Sequence, residues 1–298
     1  MAFLTMNHQK YEVDPGTRLS DAIGLHHSME FPCGGKGRCG KCRVTAFGAL
    51  SPVSAAEKNY LSSQELASGI RLACCAVVEG DCQVTLREET KSVVCTDGTM
   101  PDFAPKPLFQ AFGAAVDIGT TTLAARLYGE KGSLAQAAMA NPQACYGADV
   151  ISRIGAALAG KSGEIARCIR GALKALLEEL SGKADISPDQ IDAVVITGNT
   201  AMLYLLTETN PDCLSHAPFE ASQLFGEFQK GFHLDLPCPE AKVYLPRCVS
   251  AFVGADLVTA LLASGIWRQE EISVLVDIGT NGEMALCYGK QLVCCSTA

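Results

Sequence analysis

Cys33-Gly34-Gly35-Lys36-Gly37-Arg38-Cys39-Gly40-Lys41-Cys42 decides the fold of the first third of this 298-residue chain. Three cysteines fall in ten residues, separated by five residues and then by two. A fourth thiol follows in Arg71-Leu72-Ala73-Cys74. Three thiolates on a tight loop with one distant partner is the donor pattern of an iron–sulfur cluster. The interleaved glycines serve it, because a loop wrapping a cluster needs positive φ values and inward-pointing amides. A zinc knuckle pairs C-x2-C with a second such pair or with histidines, and no such partner stands nearby.

Outward from the loop, 2–6 and 10–14 read as a hairpin around Asn7-His8-Gln9. Thr17 is placed to cap a helix over Leu19–Leu25. A strand is expected at Arg43–Phe47, and Ser54-Ala55-Ala56-Glu57 is a capping-box pattern opening a helix towards Leu61. Strands are expected at Ile70–Val78 and Gln83–Arg87. The spacing and element order resemble a β-grasp 2Fe–2S ferredoxin, with the five-residue first gap of the adrenodoxin-like variant rather than the plant-type four. Cys74 and Cys75 are neighbours on an expected strand, so they face opposite sides. The resemblance selects Cys74, making Cys33, Cys39, Cys42 and Cys74 the ligands and leaving Cys75 and Cys82 as half-buried thiols. His26-His27 has no partner at ligand spacing and reads as an exposed helix end.

Apolar residues make up 48%, charged residues 19%, and mean hydropathy is +0.17, the composition of a buried α/β protein with room for two domains. The net charge of −8 argues against nucleic acid. The first residues are too polar for a signal peptide and no run approaches a membrane span. Fifteen cysteines without an export signal point to a reducing cytoplasm and to anaerobic metabolism rather than to a disulfide framework.

Pro101, Pro105 and Pro107 mark a linker. Beyond it, Val116-Asp117-Ile118-Gly119-Thr120-Thr121-Thr122 returns as Val276-Asp277-Ile278-Gly279-Thr280-Asn281-Gly282, the two aspartates 160 positions apart. Each turn offers amides and hydroxyls to phosphate oxygens, and each aspartate stands where it can hold Mg²⁺ through water. Between them, Gly147–Leu158 reads as a helix. Glu164–Leu180 is a helix with Ile165, Ile169, Leu173, Leu176, Leu177 and Leu180 on one face, stopping at Gly182. Asp192–Thr197 is a buried strand feeding Gly198-Asn199-Thr200.

The paired turns resemble the phosphate loops of the actin, sugar-kinase and heat-shock-chaperone superfamily. That likeness implies ATP with Mg²⁺ held by Asp117, Gly119, Thr120, Thr121, Asp277, Gly279, Thr280, Asn281 and Gly282. Asp256, in Val253-Gly254-Ala255-Asp256, matches the position of the sugar-kinase catalytic base, which with Asp117 makes it the catalytic candidate that orients water; a helix N-cap aspartate is the alternative.

The ferredoxin fused to Asp-Ile-Gly-Thr-Thr-Thr, Thr-Gly-Asn-Thr, Val-Gly-Ala-Asp and Asp-Ile-Gly-Thr-Asn-Gly resembles the ATP-dependent reductive activators of corrinoid proteins. The resemblance implies a 2Fe–2S ferredoxin domain over 1–90 and a linker over 91–112. It implies the first, ribonuclease-H-like lobe of an actin-like ATPase over 113–271, and the start of an incomplete second lobe over 272–298, as in a fragment of a longer protein. It implies one-electron reduction of a corrinoid protein from Co(II) to Co(I) through the cluster, driven by ATP. A low-potential electron donor and a second copy of the chain are the further partners. The rival reading is a 2Fe–2S electron-transfer protein whose actin-like part is only a docking platform. A dehydratase-type activator is a third, against which the ferredoxin fusion argues.

Overall fold

Ala2, Leu4 and Met6 are buried while Phe3 is exposed, the period-two pattern of a strand with one face on a core. The computed structural model describes residues 1–6, 9–27, 29, 31, 33, 35–86, 106–279, 282–289 and 291–297. The expected turn at Asn7-His8, the linker up to residue 105, and Thr280 and Asn281 lie outside the described residues. The chain forms two compact units, the first from the N-terminal residues with Gln143–Arg153, the second from the rest.

The first unit comprises β1 (Ala2–Met6), β2 (Gln9–Val13), α1 (Leu19–Gly24), β3 (Arg43–Leu50), α2 (Ala55–Tyr60), α3 (Ser63–Ala67), β4 (Ile70–Leu72) and β5 (Val78–Thr85). The sheet order is β2-β1-β5-β3-β4, with β1 and β5 parallel and the other pairs antiparallel. Leu19, Ala22 and Ile23 of α1 join the core built by Leu4, Met6, Val44, Leu72 and Val84. This is a β-grasp ferredoxin fold.

Three local expectations change. The residue before α1 is Arg18 and no side chain caps it. Thr17 is instead tied through its backbone, its carbonyl accepting from Val78 N–H at 2.9 Å. The capping box at Ser54 and Glu57 is present, and a second one, Ser62 with Glu65, opens the short α3 that the sequence pattern did not reveal. β4 stops at Leu72, and Ala73, Cys74 and Cys75 form a turn closed by Cys75 N–H to the Leu72 carbonyl, 2.8 Å. The two adjacent cysteines are therefore not on a strand, and the opposite-faces argument does not apply to them.

The second unit opens with the meander β6 (Phe112–Ile118), β7 (Thr122–Gly129) and β8 (Gly132–Ala140). Then come α4 (Val150–Ala156), whose residues up to Arg153 count with the first unit and which runs through a π-turn at Ala157–Lys161 into α5 (Ser162–Lys183), β9 (Ile191–Gly198), α6 (Thr200–Thr207), β10 (Glu227–Lys230), β11 (Lys242–Leu245) and α7 (Ala255–Ser264). The sheet order is β10-β11-β9-β6-β7-β8, parallel through β11, β9 and β6 and antiparallel at both edges. Ile165, Ile169, Leu173, Leu176, Leu177 and Leu180 of α5 are buried as the spacing requires, and the helix runs past Gly182 to Lys183. A three-stranded antiparallel sheet follows, β12 (Ser273–Ile278), β13 (Gly282–Tyr288) and β14 (Gln291–Thr297). Leu257 and Leu261 of α7 pack on its Ala285 and Cys287. The architecture is an actin- and sugar-kinase-like lobe with a mixed sheet, followed by the second sheet. No described helix is long and apolar enough to cross a membrane.

Candidate functional site

In the first unit the chain between α1 and β3 carries three thiols, and the turn after β4 carries the fourth. Gly35, Gly37 and Gly40 all take positive φ, +73°, +65° and +64°, the backbone freedom the loop needs. Gly40 also needs the absence of a side chain, since a β-carbon there would stand 2.8 Å from that of Tyr60. The loop is braced from outside: Arg43 Nε donates to the Gly40 carbonyl at 3.0 Å and its Nη2 to the Tyr60 carbonyl at 2.8 Å.

The thiols fall into two pairs. The buried Cys42 and Cys74 have sulfurs 3.2 Å apart. The half-buried Cys33 and Cys39 are joined by a side-chain hydrogen bond. Hydrogen bonding from Cys74 pushes the Cys42 thiol down to about 6 against the effect of burial, and the same contact pushes Cys74 up. At Cys33 burial opposes ionisation, but hydrogen bonds with the backbone of Arg38, Lys36 and Cys39 and with the Cys39 thiol outweigh it and lower the thiol. Cys39 is raised, by burial first. Among the described residues every cysteine is free of disulfides. Two pairs of thiols fit the donor set of a binuclear cluster, in which four cysteines serve two irons.

In the second unit Asp117, on β6, stands beside Thr197 of the parallel β9. The turn after it is tied down: Asn141 donates to the Gly119 carbonyl at 2.8 Å, and Asn199 Nδ2 reaches Thr120 Oγ1 at 3.2 Å. Asn199 caps α6, its Oδ1 accepting from Met202 N–H at 2.9 Å. Gly254 is the N-cap of α7, with no side-chain cap. A β-carbon at Gly254 would lie 2.4 Å from Asn199 Cα and 2.5 Å from Asp256 Oδ1, so only glycine lets α7 begin against this turn. Asp256 is thus not the N-cap but the second helical residue, its Oδ1 accepting from Leu257 N–H at 2.9 Å. Thr197 and Thr259 hydroxyls, 3.2 Å apart, join β9 to α7.

The sequence reading missed Glu283. In the first hairpin four residues separate the paired Ile118 and Leu123, which sets Ala124 opposite Asp117. In the second, three separate Ile278 and Gly282, which sets Glu283 opposite Asp277. Aligning the repeated motif by sequence matches Glu283 with Leu123, so the one-residue difference in turn length hides the second carboxylate. Glu283 is 4% exposed.

These acids repel one another. Glu283 is pushed up to about 8 by burial and then by the charges of Asp256 and Asp277. Asp256 is pushed up to about 6, by burial before the charge of Asp277. Asp117 also rises to about 6, by the surrounding protein and then by Asp256 and Asp277, although its side chain still reaches solvent. A cation relieves such repulsion. Among the described residues no three metal-binding side chains close on one point.

Fold and site together define a ferredoxin joined to an actin- and sugar-kinase-like lobe. Residues 112–269 match the family described as the RACo middle region, and residues 4–79 match the 2Fe-2S iron-sulfur cluster binding domain. The chain belongs to the RACo middle region family. It is 34% identical over 220 residues to a corrinoid activation enzyme, RamQ, of Eubacterium limosum, covering 70% of this chain and 36% of that protein. It is 26% identical over 132 residues to a [Co(II) methylated amine-specific corrinoid protein] reductase of Methanosarcina barkeri, covering 38% of this chain and 23% of that protein. The chain thus spans about a third of the first relative's length and less of the second's. Among solved structures, a reductive activator for corrinoid, iron-sulfur protein matches 99% of this chain and 63% of its own at 21% identity, with a TM-score of 0.60. That likeness bears on the fold.

Proposed function

We propose that this protein reductively activates a corrinoid protein, passing it one electron that takes Co(II) to Co(I), with ATP supplying the free energy. The observation that carries the reading is the union in one chain of paired thiols in a 2Fe-2S domain with a RACo middle region whose Asp117 and Asp256 stand within electrostatic reach of Asp277 on the following hairpin. Cys33, Cys39, Cys42 and Cys74 would hold a 2Fe–2S cluster. Bound there, it supplies low-potential one-electron chemistry, near −400 mV for the plant type.

Each ~59 mV by which the cobalt couple lies lower is a tenfold adverse factor for one electron, so outside free energy is needed. Asp117 and Asp277 would hold hydrated Mg²⁺. Backbone amides of the two turns and the hydroxyls of Thr120 and Thr121 would face phosphate oxygens, with Gly279, Thr280, Asn281 and Gly282 supplying the second turn. Asp256, beside both turns, would orient the attacking water. A low-potential donor refills the protein, and the thiol-rich composition suits a reducing cytoplasm.

The test is the visible spectrum of a partner's cobalt under a low-potential donor. Co(I) should form only with both reduced cluster and Mg-ATP. Equal Co(I) formation without ATP would refute the coupling and favour a simple ferredoxin.

A further inference from the structure

The turn after β4 carries two thiols, and both lie against the cysteine-rich loop, Cys74 at Cys42 and Cys75 at Gly37. Cys74 and Cys75 have sulfurs 3.7 Å apart. Two thiolates on one tetrahedral metal stand about 3.7 Å apart when the metal–sulfur bonds are about 2.3 Å. Cys75 is half-buried against the loop: a β-carbon on Gly37 would lie 3.0 Å from its sulfur, while one on Gly35 would lie 3.9 Å from the Cys74 β-carbon. Gly37 lies between Cys33 and Cys39 in the chain, and the same β-carbon would lie 3.5 Å from that of Ala56, so the Cys75 sulfur sits beside the loop between the turn and α2. The match of residues 4–79 to a cluster-binding domain supplies the ligand for which this fifth thiol is positioned.

We propose that Cys75 is a reserve ligand, able to take the iron that Cys74 holds. The inference rests on the cluster reading given above. The exchange breaks one Fe–Sγ bond at Cys74 and forms one at Cys75; the proton on the Cys75 thiol moves to the Cys74 thiolate, and no electron is transferred. Cys42 keeps its place, its carbonyl accepting from Ala73 N–H at 2.8 Å, so the turn stays anchored while the two adjacent side chains trade roles.

The experiment compares the whole chain with Cys74→Ala, Cys75→Ala and the double variant. All are purified without oxygen and reconstituted with iron and sulfide. Iron and acid-labile sulfide per chain, the visible spectrum and the EPR of the reduced protein are read, with circular dichroism as the check of folding. Wild type and Cys75→Ala should carry about two irons each. Cys74→Ala should keep at least half of that iron with shifted absorption bands, and the double variant should lose it. A folded Cys74→Ala without colour overturns the proposal, as does a double variant that keeps iron as well as the single one. If Cys74→Ala does not fold, the isosteric Cys74→Ser is compared with Cys74→Ser combined with Cys75→Ala; identical spectra overturn it. A wild-type chain that takes up no cluster refutes the underlying reading and the inference with it, a result distinct from the others.

Discussion

Arg71 grips Glu57 with two hydrogen bonds, Nε to Oε1 at 2.7 Å and Nη2 to Oε2 at 3.1 Å, with Glu57 fully buried. The same carboxylate accepts from Leu72 N–H at 3.1 Å and from Ser54 N–H at 2.9 Å. It thereby fastens α2 to the strand that leads into Cys74. Breaking a buried pair by removing one partner costs about 3–5 kcal/mol. Glu57→Gln should lower the stability of the ferredoxin unit by that order in urea unfolding and shorten the lifetime of the cluster's colour.

The same pair sets an acid limit. Burial opposes ionisation of Glu57, but Arg71 and the amides of Ser54 and Leu72 outweigh it and hold the carboxyl below its usual value. A depressed carboxyl stabilises fully above its unfolded pKa, and the contribution is lost as pH falls through the folded value. Unfolding midpoints of wild type should therefore drop below about pH 4.5, and Glu57→Gln should flatten that drop.

Glu283 has the opposite sign. Its folded value is raised to about 8, so between the ordinary carboxyl range and that value the folded state holds a proton the unfolded chain has lost. Stability from this group falls as pH rises through the window. Glu283→Gln should raise the thermal midpoint of the second unit by a few degrees at pH 8, on the scale of about 1–2 kcal/mol, and by little at pH 5. A pH-independent gain would count against this account.

Asp277→Ala should weaken Mg²⁺-dependent nucleotide binding roughly 10- to 100-fold, the usual effect of losing an outer-shell partner, while leaving the cluster spectrum intact. Cys39→Ser should do the reverse, abolishing electron transfer and sparing nucleotide binding. Titration calorimetry and visible spectra of the two variants separate the functions.

Asp256→Asn should lower ATP turnover more than ATP affinity if the carboxylate orients water. Equal, small effects on both would reduce it to its hydrogen bond with Leu257.

Much of this was legible in the residues. The alternation of Ala2, Leu4 and Met6, the Ser54 capping box and the apolar stripe of α5 are local patterns, and each gave its element. What the pattern concealed depends on pairing between distant segments. β4 ends at Leu72 because Cys75 and Ala76 N–H turn back to its carbonyl while Ser20 and Leu19 N–H of α1 take the carbonyls of Ala73 and Ala76, contacts with a distant helix that no local propensity announces, so Cys74 and Cys75 read as strand. Thr17 is a good cap by type, but its backbone is already bridged to β5. Glu283 becomes a site residue only through strand register, which turn length sets and side-chain type does not.

That turn also makes the duplicated hairpin lopsided. The first presents one carboxylate beside the methyl of Ala124, the second presents two face to face. Because Glu283 is raised to about 8, it holds its proton at neutral pH, and the pull on a cation leans towards β12 and β13 only as pH rises through that value. A difference of one residue in turn length thus makes the balance of charge between the two hairpins a matter of pH.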